Sequence, residues 1–181
     1  MKSEGFIALL RGINVGGNNP VPMTRLCSLC ADIGWRDVRN YIQSGNLVFA
    51  AKGTPATLEK KLERAIQKEF GLAIAVIVRP AARWPGYIKS NPFSAVSKKE
   101  PKAVMLGLSK SPPRPDAVGL LRERAANGEH IEQTGDALWI HFRDGMARTK
   151  LSPALFDRLA GSPVTLRNWR TVLKLEEMTR K

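Results

Sequence analysis

Apolar positions along the chain fall into two rhythms that alternate from end to end. Residues 6–11 (FIALLR) form a short apolar run stopped by glycine, the pattern of a buried strand. Leu26, Leu29, Cys30 and Ile33 then recur at i, i+3, i+4 and i+7, one face of a helix, with Pro22 suited to its first turn and Gly34 to its end. VRNYIQ and NLVFAA flank Ser44-Gly45, which predicts a β-hairpin. Thr54-Pro55 opens a second helix whose inward positions are Leu58, Leu62, Ile66 and Phe70, closed by Gly71. AIAVIV at 73–78 reads as another buried strand. The order is β-α-β-β-α-β, a split βαβ unit of the ferredoxin-like kind.

The second half repeats that order. AVMLGL (103–108) predicts a strand, and 115–126 a helix through Val118, Leu121 and Ala125. HIEQ and ALWIHF flank Thr134-Gly135 as a second hairpin. Ser152-Pro153 caps a short helix carrying Leu155, Phe156 and Leu159 that stops at Gly161. VTLRNW supplies the last strand, and a C-terminal helix runs through Val172, Leu173 and Leu175. Gln43-Ser44-Gly45-Asn46-Leu47 and Gln133-Thr134-Gly135-Asp136-Ala137 occupy the same place in the two halves. The expectation is an α+β chain of two tandem ferredoxin-like βαββαβ units, each followed by an extra helix. The first unit is placed at 1–91, a Pro- and Lys-rich linker at 92–102 and the second unit at 103–181, the two packed together.

Composition changes this picture little, but charge changes it more. The chain has 181 residues, 43% hydrophobic and 25% charged, enough to bury a core. No run approaches the length of a membrane-spanning helix. The opening Met1–Glu4 and the FIALL run, cut by Arg11, are too short for a secretion signal, so a cytoplasmic protein is expected. Lys and Arg exceed Asp and Glu by 29 to 16, a net charge of +13. Residues 1–90 hold 13 basic and 6 acidic side chains and 91–181 hold 16 and 10, so the excess is not a basic tail. Such a surface attracts polyanions whether or not binding them is its role.

The candidate chemistry gathers in three places. In LLRGINVGG, Arg11, Gly12, Asn14, Gly16 and Gly17 combine a cation with backbone freedom. The spacing matches neither a dinucleotide fingerprint nor a P-loop. Two readings stay open: a backbone nest for an anion, with Arg11 as a planar fork, and a structural crossover turn. Arg148, Thr149 and Lys150 ahead of the Ser152 helix start are either an anion contact or a solvated basic turn. Near the C-terminus, Arg167, Asn168, Arg170 and Lys174 follow one another; if helical, Arg167, Arg170 and Lys174 form a stripe. Ser44 and Asn46 of the first hairpin are further polar candidates.

Cys27-Ser-Leu-Cys30 spells a redox or zinc spacing, but Cys30 falls on the apolar stripe and the only histidines, His130 and His141, lie in the other half. Buried thiols are expected, with no metal and no cofactor. Each histidine reads as a surface strand residue, and Asp136 and Asp144 as turn residues.

ALLRGINVGG, YIQSGNLVF, NPF, RTKL and RNWRTVLKL together resemble the bacterial family known as domain of unknown function 1697, over a span from Phe6 to about Met178. The resemblance implies the fold and boundaries and no established reaction. Thr149 stands where that family more often has serine, and Cys27 and Cys30 lie outside its pattern. The function expected is therefore a binding module for an anionic ligand, whether nucleotide, phosphometabolite or nucleic acid, using the Arg11 loop. The alternatives are an enzyme on a phosphorylated substrate, with residues of both units converging, and an interaction or structural protein. An RNA platform on an open sheet is disfavoured, because the first unit's strands are apolar on both faces and no aromatic RNA-binding signature is present.

Overall fold

The computed structural model describes residues 4–180. The fold is α+β, with two four-stranded antiparallel sheets and, among the described residues, seven α-helices. By contacts the chain divides into two compact units, residues 1–85 with 175–181, and residues 86–174.

In the first unit, β1 (Glu4–Leu10), α1 (Met23–Asp32), β2 (Arg36–Tyr41), β3 (Asn46–Ala51), α2 (Pro55–Phe70) and β4 (Val76–Pro80) follow in order. The sheet runs β2-β3-β1-β4, every neighbouring pair antiparallel. Phe6, Ala8 and Leu10 of β1 and Val76 and Val78 of β4 meet Leu26 and Cys30 of α1 and Leu58, Leu62 and Ile66 of α2 in one core. Alternate residues on the opposite face, Ile7, Leu9, Val48 and Ile77, are also buried, and toward β2 that face borders a recess of about 450 Å³ lined by Gly5, Arg39, Val48 and Ala50. The ends of α2 follow the expected chemistry. Thr54 accepts from the Thr57 N–H in a capping box, and Gly71 closes the helix in the left-handed region. The β4 strand starts three residues later than the apolar run suggests, because 71–75 connects it to α2 as irregular chain.

Helix α2 also serves the sheet. Its Glu63 and Glu59 accept from the backbone N–H groups of Val76 and Val78, both at 2.9 Å. Strand β4 is an outer strand, so these carboxylates answer amides that have no neighbouring strand on that side.

The boundary falls within α3 (Trp84–Lys89), and the second unit goes on through α4 (Ser94–Lys99), β5 (Val104–Ser109), α5 (Ala117–Arg124), β6 (Glu129–Thr134), β7 (Ala137–Phe142), α6 (Pro153–Ala160) and β8 (Val164–Asn168). The sheet order is β6-β7-β5-β8, again antiparallel. Met105, Ile131, Leu138, Ile140 and Phe142 pack with Leu121, Phe156 and Ala160. Asp157 of α6 accepts from the Val164 N–H at 2.8 Å, the counterpart on β8 of Glu63 on β4.

The stretch read as a linker is folded. Asn91 accepts from the Phe93 N–H across Pro92 and donates to Ser97 Oγ, which donates to the Phe93 carbonyl, and this buried network builds α4. The final helix, α7 (Trp169–Thr179), starts at the tryptophan assigned by pattern to the last strand, and Leu173, expected inward, is 44% exposed.

Candidate functional site

The Arg11 loop is a small hairpin of its own. Val15 and Asn18 form an isolated bridge, with Gly16 and Gly17 between them at φ 57° and 80°. Asn18 donates its N–H to the Val15 carbonyl (2.9 Å), and Asn14 to that of Asn19 (3.1 Å). Gly12, Asn14 and Asn19 are also at positive φ, a region that glycine enters freely and asparagine tolerates.

Asn14 holds the loop down. Its Oδ1 accepts from the Val21 N–H (2.8 Å), and its Nδ2 donates to the carbonyls of Val21 and Gln43 (both 2.9 Å). One side chain thus pairs with the peptide that leads into α1 and with the β2–β3 turn. It organises a helix start where Pro22 at the cap provides no side-chain bond. Asn19 Nδ2 donates to the Gly12 carbonyl at 2.9 Å.

Beneath lies the turn 42–45, four residues long where two were expected. The Gly45 carbonyl accepts from the Leu10 N–H at 2.8 Å. A Cβ on Gly45, at φ 73°, would stand 2.6 Å from Leu10 Cβ and 2.9 Å from Ile13 Cδ1. Ile42 sits at φ 51° and is about half exposed, a costly conformation for a β-branched residue. Asn46, fully buried, donates to the Tyr41 carbonyl and to Ser44 Oγ, both at 3.0 Å. Of the loop and hairpin candidates, Asn14, Ser44 and Asn46 therefore bond to the protein itself. Gly12, Gly16 and Gly17 are exposed, with no atom closer than 3.9 Å to where a Cβ would stand. Arg11 is half-buried at the base, its N–H bonded to the Ala75 carbonyl.

The second candidate group separates by role. Thr149 donates its hydroxyl to Glu129 Oε1, while Glu129 Oε2 accepts from the Asn127 N–H at 2.8 Å. Burial raises the Glu129 carboxyl, but those hydrogen bonds together outweigh it and hold the group below its ordinary value. The hydroxyl common to Thr149 and the more usual serine thus anchors a loop. Arg148 and Lys150 point to solvent. Ser152 Oγ already caps α6 through the Leu155 N–H (3.2 Å).

The third group is not a stripe. Arg167 lies in β8, 8% exposed, bonded to Thr165 Oγ1 (2.7 Å) and the Leu166 carbonyl (2.9 Å). Burial brings its guanidinium down to about 10. It pairs with Leu106 as Arg79 in β4 pairs with Ile7, so each sheet carries a buried arginine at the same register position. Asn168 accepts from the Thr171 N–H and caps the start of α7 (2.9 Å).

His130 and His141 face each other across β6 and β7, ring centroids 5.9 Å apart. This pairing follows from their equal distance from the turn and was not drawn from the sequence. Cys30 is buried and pushed up to about 12 by desolvation, and Cys27 is raised as well. No cluster of three His, Cys, Asp or Glu among the described residues could hold a metal ion. No helix among them is long and apolar enough to cross a membrane.

Comparison with known proteins places the chain. The family described as a protein of unknown function, DUF1697, matches residues 4–139, and the chain belongs to that family. RTKL and RNWRTVLKL lie beyond the matched span. Its fold is shared with a solved structure, that of the conserved bacterial protein SP0830 from Streptococcus pneumoniae, at a TM-score of 0.75 and 22% identity, covering 98% of this chain and 99% of that one. At that identity the likeness concerns the fold. No curated protein matches the chain.

Proposed function

We propose that this member of the DUF1697 family is a binding module for an anionic ligand, with the 11–19 loop as its site and two tandem ferredoxin-like units as its scaffold. The sheet orders β2-β3-β1-β4 and β6-β7-β5-β8 support the scaffold reading.

One comparison within the chain carries the site. Both units cross from their first strand to their first helix. The second does so through 110–116 with no residue at positive φ, whereas the first holds Gly12, Asn14, Gly16, Gly17 and Asn19 there. A connection alone does not require that backbone. Left-handed backbone at a non-glycine residue, here Asn14 and Asn19, persists where the surrounding structure over-determines it, and it gathers at ligand clamps. Asn14 supplies the rigidity, Arg11 the cation, and the exposed glycines an approach for a phosphate or carboxylate close to the backbone. The ligand class is a nucleotide or phosphometabolite.

A thermal-shift panel of nucleoside phosphates, sugar phosphates and pyrophosphate tests the reading. A ligand at 100 times its Kd stabilises by about 2.7 kcal/mol, a rise of roughly 5–10 °C for a chain of this size. Arg11→Ala, checked for folding by circular dichroism, abolishes that rise. A shift that survives Arg11→Ala places the ligand elsewhere, and no shift with any compound refutes the proposal.

A further inference from the structure

Helix α2 sorts its charges by direction. Glu59 and Glu63 turn to the β4 amides, as described above. Lys60, Lys61, Arg64 and Lys68 are exposed and face the groove between α1 and α2, a cleft of about 630 Å³. None of these four forms an ion pair among the described residues, while Arg25 across the groove is bonded to Glu69 (2.6 Å) and Asp32 (3.3 Å). At the Lys61 end a second recess of about 380 Å³ adds Arg36 and Lys52, also exposed and unpaired among the described residues. Six cations thus line one continuous path; of the α2 acids, Glu59 and Glu63 turn to the other side, and Glu69, which enters the groove, is bonded to Arg25.

From this path we infer a docking surface for a single nucleic-acid strand, held by its phosphodiester backbone. Lys60, Arg64 and Lys68 recur every fourth residue, about 6 Å apart along the helix axis, close to the spacing of successive phosphates on an extended strand. The groove floor is Leu29, Ile33 and Ala65, buried or half-buried, and no large exposed hydrophobic residue lies there. The floor is apolar, but the cations on its rim complement a phosphodiester backbone, whereas an amphipathic peptide helix or an inserting membrane face would have to be seated past them. No exposed aromatic ring lines it, so binding is to backbone and carries little sequence preference. The surface lies on the helices of the first unit and is independent of the 11–19 loop.

The test is fluorescence anisotropy with a labelled 20-nucleotide RNA strand of mixed sequence, across 50–200 mM salt. The protein is compared with Lys60→Gln/Arg64→Gln/Lys68→Gln and with a charge-matched control, Lys98→Gln/Lys99→Gln/Arg143→Gln; thermal melting verifies that each is folded. The α2 triple weakens binding at least tenfold and lowers the slope of log K against log salt by about 2, at about 0.7 per lost phosphate contact. The control triple changes affinity by less than about twofold. Equal losses in the two triples mean attraction by net charge alone and overturn the inference. So does RNA binding that is absent at 150 mM salt, or an α2 triple that impairs binding to phosphatidylserine vesicles more than to RNA.

Discussion

Gly45→Ala measures how firmly the first hairpin is pressed against the loop above it. The new methyl group would stand 2.6 Å from Leu10 Cβ and 2.9 Å from Ile13 Cδ1, inside the limit for real contacts. Leu10 and Ile13 are both buried, so neither has a solvent direction in which to retreat. Two costs add. An alanine in the left-handed region loses about 1–2 kcal/mol, and overpacking a closed site costs about 1–3 kcal/mol. Gly135→Ala, at the matching hairpin of the second unit, isolates the first cost, since that glycine has φ 60° and open space around its Cβ position. The expected losses are thus about 2–5 kcal/mol at Gly45 and about 1–2 kcal/mol at Gly135. Hydrogen exchange read by mass spectrometry gives each unit its own value without assuming that they unfold together. Peptides covering β1 and β3 report on Gly45→Ala, and those covering β5 and β7 on Gly135→Ala. The excess at Gly45, roughly 5- to 150-fold in exchange rate, is the contact contribution. Equal effects at the two sites would show that the contact with Leu10 and Ile13 yields without cost and would refute the predicted overpacking.

Other expectations concern the loop, the histidines and the thiols. Asn14→Ala removes three hydrogen bonds and leaves the Val21 N–H without its acceptor, a loss of about 2–3 kcal/mol; exchange should rise at the start of α1 and in the 42–45 turn, while β6 and β7 stay unchanged. His141 is held below its ordinary value chiefly by burial, with His130 and Arg143 acting the same way and Glu100 opposing. Between its lowered folded pKa and the ordinary 6.5 the unfolded chain binds more protons, so stability rises with pH in that window and falls as pH drops below 6.5. Urea midpoints at pH 7.5 and 5.5 should differ, and His141→Phe should narrow that difference. Both thiols are raised by burial, so Ellman's reagent at pH 8 should label Cys27 slowly and Cys30 only with unfolding, and no disulfide should form on mild oxidation.

Where structure depends on neighbours in sequence, the chain was readable. Helix ends at Gly71 and Gly161, the Thr54 and Ser152 caps, and both hairpins follow from local stereochemistry. The apolar rhythm led to the α+β order, yet two segments of the family motifs have other roles than expected. Asn91 in NPF is bonded to the start of a helix in a stretch that reads as a linker, and its partner Ser97, six residues on, is brought to it only by the folded turn. Arg167 read as part of a helical stripe because its spacing to Arg170 and Lys174 is helical, but pairing with Leu106 decides its conformation. The α2 charge division was hidden for the same reason. Glu59, Lys60, Glu63 and Arg64 look evenly mixed along the chain, and only the position of β4 sends the acids one way and leaves the bases on the other.

That division also bears on self-association. A strand at the border of a sheet is a template for strands of other molecules, and natural proteins obstruct it in various ways. Here the obstruction is chemical: Glu59 and Glu63 on β4, and Asp157 on β8, occupy amides that an incoming chain would need. Recruitment of a second molecule at β4 or β8 therefore requires α2 or α6 to detach first. At these two borders resistance to strand addition is thus tied to helix docking, and a variant that loosens α2 or α6 exposes amides that the folded chain keeps occupied.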